Sequence, residues 1–286
     1  LAPSAPANLL LTGGALSWDE PTDADFDYFT VYGSSEPVPT GLTMLGHTTD
    51  TSLDVSGSDY AYLLVAATDF AGNEGEPTVL PRYCAINISD AQNYGPGCDP
   101  DPALCIDEQV RLDGIIYVVK DYSSGGHYMQ GDTGGINFYD PDAIPLTPGD
   151  RIRISGSLWY DDNGEIYVGW PSITVLGNEP IPAPQVVETG SLQDCGIVGS
   201  YVEARGTVTA TGINEQGYEY YTLDDGSGPV MVYIDPDTGA DMSSVDVGET
   251  RWVRSPAMLF SGEIRLSPIS AEHHADNTAT SIADGD

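Results

Sequence analysis

The sequence predicts an all-β chain, a two-sheet sandwich followed by a duplicated five-stranded unit, and three observations carry this. Strand-like runs rich in Val, Ile, Thr and Tyr are cut at short intervals by turns, in a 286-residue chain with 33 Gly and 21 Pro and no sustained helical period. The stretch HYMQGDTGGINFYDPD, from His127 to Asp142, leads to Pro148-Gly149-Asp150 and Gly164-Glu165-Ile166; about ninety residues later YYTLDDGSGPVMVYIDPD, from Tyr220 to Asp237, leads to Val247-Gly248-Glu249 and Gly262-Glu263-Ile264. An acidic Gly-rich turn, a strand ending in Asp-Pro-Asp, a Gly-acid turn and a Gly-Glu-Ile hairpin in one order mark an internal duplication. Ahead of it, residues 1–82 hold seven short alternating runs, the spacing of two packed sheets.

The seven runs are Asn8–Thr12, Ala15–Trp18, Phe26–Gly33, Thr43–Thr48, Ser52–Ser56, Tyr60–Thr68 and Pro77–Leu80. Leu16 and Trp18 fall on one face of their strand and Phe29 and Val31 on one face of the next, as a half-buried sheet requires. Residues 83–109 (with CDPDPALCIDE) read as a cysteine-stapled connector without a regular element, and Asn87-Ile88-Ser89 is a glycosylation sequon by pattern. In 110–180, Val110, Leu112, Gly114, Ile116 and Val118 alternate against Arg111, Asp113 and Tyr117, and Ile152, Ile154, Gly156 and Leu158 repeat the pattern. A Pro-rich joint (181–196) leads to 197–270, which opens likewise on Val202, Ala204, Gly206 and Val208. Aligning Gly149-Asp150 with Gly248-Glu249 sets Arg251 opposite Ile152, a charge at a core position, so a one-residue bulge is expected there with Trp252 buried instead. The tail, 271–286, lacks aromatics and reads as a linker or frayed end.

Composition narrows the partners. Forty-four acids against nine bases, with Lys120 the sole lysine, give a formal net charge of −35. Such a surface disfavours nucleic acid and anionic membranes and attracts divalent cations. No apolar run reaches membrane-spanning length. Cys84, Cys98, Cys105 and Cys195 lack metal-ligand spacing and read as two disulfides formed in an oxidising compartment, with four buried thiols as the alternative. The short gap between Cys98 and Cys105 favours a local bridge, but the pairing stays open. A chain opening on Leu1 reads as processed or as a piece of a longer one.

Two resemblances follow from these residues. APSAPANLLL, ALSWDEPTDADFDYFTVYGS and YLLVAATDFAGNEGEP resemble the fibronectin type III domains found in tandem in secreted bacterial proteins, the match resting on the Trp18 strand and the Ala67–Asn73 turn. One departure is that Ala61 stands where that family commonly has its corner tyrosine, flanked by Tyr60 and Tyr62. Five strands, an early central Gly and a Gly-Asp turn before the fourth strand make each repeat resemble the OB-fold, as in secreted bacterial proteins and some extracellular nucleases. The resemblances together imply an immunoglobulin-like sandwich followed by two tandem OB-like five-stranded barrels.

Candidate sites follow from residue chemistry. His47, His127, His273 and His274 are scattered, with no HxxxH or nucleophile-elbow context and no Gly-rich loop leading into a helix, so no enzyme is expected. An OB-like barrel offers aromatic platforms, for which Tyr117, Tyr128, Phe138, Trp159 and Tyr167 are the candidates in the first copy; Tyr220, Tyr233 and Trp252 are their counterparts in the second. Phosphates demand cations, and Arg111, Lys120, Arg151 and Arg153 face a larger acidic field, whereas a sugar needs aromatics without net positive charge. Asp23, Asp25 and Asp27 lie in one sandwich loop and Asp69, Asn73 and Glu74 in another at the same pole, which predicts a calcium site; the alternative is that these residues simply make turns. The combined expectation is a non-enzymatic extracellular module of a bacterial surface protein or filament, structural or adhesive, self-associating head-to-tail or meeting another surface protein. The alternative is a glycan- or nucleic-acid-binding accessory module of a secreted hydrolase.

Overall fold

Alternation with a period of two becomes paired sheets wherever one face is covered. The computed structural model describes residues 1–19, 22–36, 39, 41–84, 86–92, 109–119, 126–139, 145–193, 195–214, 217–235, 238–260 and 262–276. The chain divides into two compact units, Leu1–Ala85 and Ile86–Asp286.

The first unit contains β1 (Leu10–Thr12), β2 (Ala15–Ser17), β3 (Phe26–Ser34), β4 (Thr43–Thr48), β5 (Ser52–Asp54), β6 (Tyr62–Asp69) and β7 (Thr78–Pro81). They form a three-stranded sheet, β1-β2-β5, and a four-stranded sheet, β4-β3-β6-β7. Leu16, Trp18, Phe29, Val31, Val55, Leu63, Val65 and Ala67 fill the space between them, with Trp18 edge-on to Phe29 at 5.1 Å. β6, flanked on both sides, is buried from Leu63 to Asp69 and therefore reads as a nearly continuous apolar run.

The second unit opens with a short helix, α1 (Ile88–Gln92). Barrel 1 follows: β8 (Gln109–Val118), β9 (Gly126–Gln130), β10 (Gly135–Tyr139), β11 (Asp150–Tyr160) and β12 (Ile166–Asn178) close in the order β10-β12-β11-β8-β9. Val110, Leu112, Ile116, Met129, Ile136, Phe138, Ile152, Ile154, Leu158, Ile166 and Val168 are buried along it. Barrel 2 repeats the arrangement with β14 (Tyr201–Ile213), β15 (Glu219–Asp224), β16 (Val230–Tyr233), β17 (Thr250–Phe260) and β18 (Glu263–Leu266), closed by a β14–β17 pairing. In each copy the third and fifth strands run parallel, β10 with β12 and β16 with β18, so both have the five-stranded order of an OB-like barrel. The Gly-acid turn recurs in one conformation, Gly149 at φ 96° and Gly248 at φ 98°. Two short strands extend barrel 2, β13 (Gln185–Val187) beside β14 and β19 (His274–Asp276) beside β17.

Several expectations are corrected. Part of the connector is the helix α1, docked by Gln92 Nε2, which donates to Gly135 O at 2.8 Å. The joint supplies β13 and a 3-10 turn at Thr189–Gln193, and 271–276 of the tail is ordered through β19. Arg251 needs no bulge. The β14–β17 register is continuous, Arg251 is 2% exposed and Trp252 8%, and the guanidinium donates to Glu249 Oε1, to Ser244 O and Oγ, and to His274 O. A charge is tolerated in the barrel because acceptors from a turn and from the tail surround it. Cys84 is disulfide-bonded; Cys98 and Cys105 lie outside the described residues, as does the side chain of Cys195.

Candidate ligand-binding site

The outward face of the second and third strands is where an OB-type barrel holds a ligand, and the two copies treat it oppositely. In barrel 1 that face belongs to β9 and β10, with Tyr128, Gln130, Gly135 and Asn137 turned outward. Barrel 2 closes it. Tyr201 N–H donates to Gln130 Oε1 at 3.0 Å, Gly135 N–H to Ser200 Oγ at 3.1 Å, and Tyr117 Oη to Gly199 O at 2.5 Å. The Tyr117 and Tyr201 rings stack at 4.8 Å. A side chain at position 135 is impossible without separation of the barrels, since a Cβ there would sit 1.9 Å from Gly199 O.

At the centre of this contact is a buried carboxylate. Glu165, 4% exposed, accepts from Tyr128 Oη at 2.7 Å and Asn137 Nδ2 at 3.3 Å in its own barrel and from Leu259 N–H at 3.3 Å in the other. Burial first, and the Glu165 charge second, hold the phenols of Tyr117 and Tyr128 well above their usual range, so both stay neutral donors.

In barrel 2 no other barrel covers the same face, β15 and β16, among the described residues. Tyr220 pairs across the strands with Tyr233, ring centroids 6.0 Å apart. Arg265 on β18 lays its guanidinium over Tyr233 at 4.7 Å and over Phe260 at 4.2 Å, which leaves its Nε buried without a hydrogen-bond partner. Asn214 Nδ2 donates to Tyr233 Oη at 3.3 Å and fixes that ring. Phe260 is 42% exposed. The result is a half-exposed strip of three rings with one cation held between Tyr233 and Phe260.

The sequence-predicted residues are therefore split. Tyr117 and Tyr128 are spent between the barrels, and Phe138, 0% exposed, points into the core of barrel 1. Trp159, 39% exposed, and Tyr167 remain on the surface of barrel 1. Phe260 and Arg265 escaped sequence reasoning, although they flank the Gly262-Glu263-Ile264 hairpin at alternating positions. In the first unit, Asp69 Oδ1 accepts from Ala71 N–H and Asn73 N–H, and Oδ2 from Asn73 Nδ2, each within 2.9 Å; the Asn73 amide holds its carboxyl below the usual range. Glu74 receives the Tyr32 hydroxyl, Asp23 receives Ser4, and the carbonyl of Asp25 receives Phe70 N–H; Asp27 lies on β3. Among the described residues no group of three or more acids, histidines or cysteines is placed to hold a metal ion.

No family model and no curated protein matches the chain. Among solved structures it is similar to the S. pombe Stn1–Ten1 complex, at 23% identity over 27% of this chain and 57% of that one, TM-score 0.23. A second is the Ifi202 HINa domain in complex with double-stranded DNA, at 10% identity over 58% and 94%, TM-score 0.31. A third is the single-stranded DNA binding protein from Thermus aquaticus, at 14% identity over 62% and 96%, TM-score 0.21. The chain thus spans just over half the length of the first of these. The expectation of a structural or adhesive filament segment that avoids nucleic acid is corrected: the neighbours named are OB-fold proteins, two of them described as bound to or binding DNA. The net charge argues against long-range attraction of a polyanion, but a stacking face does not depend on it.

Proposed function

We propose that residues 86–286 are a binding module, not an enzyme, that holds single-stranded nucleic acid on the outward face of barrel 2. The observation that carries this reading is the Tyr220–Tyr233–Arg265–Phe260 strip, left open on β15, β16, β18 and the end of β17 while the equivalent face of barrel 1 is closed. Unstacked bases lie on the rings, and Arg265 meets the backbone or a base edge. A glycan is the second reading, favoured by the net charge of −35, which a neutral ligand does not feel. The three-plus-four sheet order of the first unit supports a fibronectin type III-like sandwich as its companion.

Fluorescence anisotropy of a labelled oligodeoxythymidine tests this. Tyr233→Ala and Arg265→Ala are each expected to weaken binding by roughly tenfold, the worth of about 1–3 kcal/mol per stacked base. Equal binding by both variants and wild type would remove the nucleic-acid reading, and displacement by a neutral oligosaccharide alone would favour the second.

A further inference from the structure

Barrel 1 carries a second aromatic surface, on rings and strands separate from the strip of barrel 2. In register across the sheet, Asn137 of β10 lies beside Tyr167 of β12, which lies beside Trp159 of β11; one step along, Tyr139 lies beside Gly169. Gly169 is a bare floor: a Cβ there would meet the Trp159 indole at 2.9 Å and the Tyr167 ring at 3.4 Å, so both rings lie close over the backbone.

Trp170 is placed by two devices. The β11–β12 register shifts between Ser155 and Ser157, which makes Trp170 and Pro171 a bulge, a feature that re-aims side chains. Trp170 also adopts φ 45°, the left-handed region that a bulky L-residue avoids. Its indole is thrown outward, 63% exposed and edge-on to Tyr139 at 5.8 Å. An exposed tryptophan held in a costly backbone conformation is explained by an external partner better than by packing.

The charges around the rings select that partner. Asp161 and Asp162 stand close enough to raise the Tyr167 phenol, after burial as the larger cause. Arg153 lies about 20 Å from Trp159 along β11 and, across from Thr174, about 14 Å from Trp170 along β12, at ~3.4 Å per residue; both oxygens of Asp113 hold its guanidinium, Glu179 holds that of Arg151, and Arg111, beside the bulge, donates to Ser155 Oγ. Beside Trp159 and Tyr167 a phosphate or uronate meets the like charge of Asp161 and Asp162, while the nearest described arginines are engaged by Asp113 and Ser155. An uncharged sugar chain presents C–H faces to the rings and hydroxyl donors to the carboxylates.

We propose that Trp159, Tyr167, Tyr139 and Trp170 form a binding site for a neutral oligosaccharide. The argument stands apart from the reading of barrel 2, because it uses other rings and another charge environment.

Calorimetry on the full 286-residue chain tests it, with cellohexaose, xylohexaose, laminarihexaose and chitohexaose as probes and oligodeoxythymidine as the competing class. Saturable heat is expected from at least one sugar. Trp159→Ala and Trp170→Ala should each weaken it by roughly tenfold or more, the scale of a buried aromatic anchor, while Phe70→Ala, an exposed ring of the sandwich, leaves it unchanged. Trp170→Gly suits the left-handed backbone, so it should lose the sugar while melting no lower than wild type. Silence across the sugar panel, unchanged binding in both tryptophan variants, or oligodeoxythymidine binding lost in Trp159→Ala with the sugars silent would each overturn the proposal.

Discussion

Replacing Glu165 by alanine tests whether one carboxylate ties the barrels together. In the native contact it accepts from Tyr128 Oη at 2.7 Å and from Leu259 N–H at 3.3 Å, two donors supplied by different barrels. Removing it strands both in an interface where Tyr128 is 1% exposed. Each orphaned donor costs about 1–3 kcal/mol, offset in part because the carboxylate no longer has to be desolvated. Loss of one member of a buried charged network costs about 3–5 kcal/mol in total, and that is the expected destabilisation of the second unit in urea unfolding. Glu165→Gln keeps the shape and one acceptor, so roughly 1–2 kcal/mol is expected. Hydrogen exchange locates the effect: the amides of Gly135, Tyr201 and Leu259 should exchange faster in Glu165→Ala, while strand amides inside each barrel change less. An unchanged midpoint, or faster exchange spread evenly through both barrels, would refute the cross-barrel role.

Other outcomes follow from the same geometry. Gly135→Ala should open the same interface, because a Cβ has no room beside Gly199, and the same three amides report it. Arg251→Ala should destabilise barrel 2 by about 3–5 kcal/mol in urea, since the Glu249 carboxylate loses its partner. Asp225 has its pKa depressed, first by the Ser227 hydroxyl and backbone and then by Thr189. Its contribution is therefore present above the unfolded value of 3.8 and lost as pH falls below it toward the folded value; Asp225→Asn should flatten that acid-side drop in melting temperature. Oligodeoxythymidine binding should change little with salt, because one described cation serves the strip. A logarithmic slope steeper than about −2, which implies several phosphate contacts at ~0.7 each, would refute stacking as the main source of affinity.

Much of the secondary structure was legible because strand alternation is local. Thr43–Thr48 is β4 to the residue, and Phe26–Gly33 falls one residue short of β3. The duplication was legible too, since a Gly-acid turn and a Gly-Glu-Ile hairpin each require particular residues at particular places. The site was not. Tyr128 and Tyr220 both alternate outward on the second strand of their copies, yet one is buried against Tyr117 and Glu165 and the other lies on an open strip.

By itself, then, the sequence placed the strands of the first unit to within two residues, set the inward alternation from Val110 to Val118 and showed that one five-stranded unit is made twice. Which outward face stays open was decided only in the folded unit, because it depends on residues such as Gly199, Ser200 and Leu259 meeting partners many tens of positions away in the chain. The burial of Arg251 was decided the same way: alignment sets it opposite Ile152 and predicts a bulge, but the folded chain brings Ser244 and His274 close enough to accept its hydrogen bonds, so none is needed.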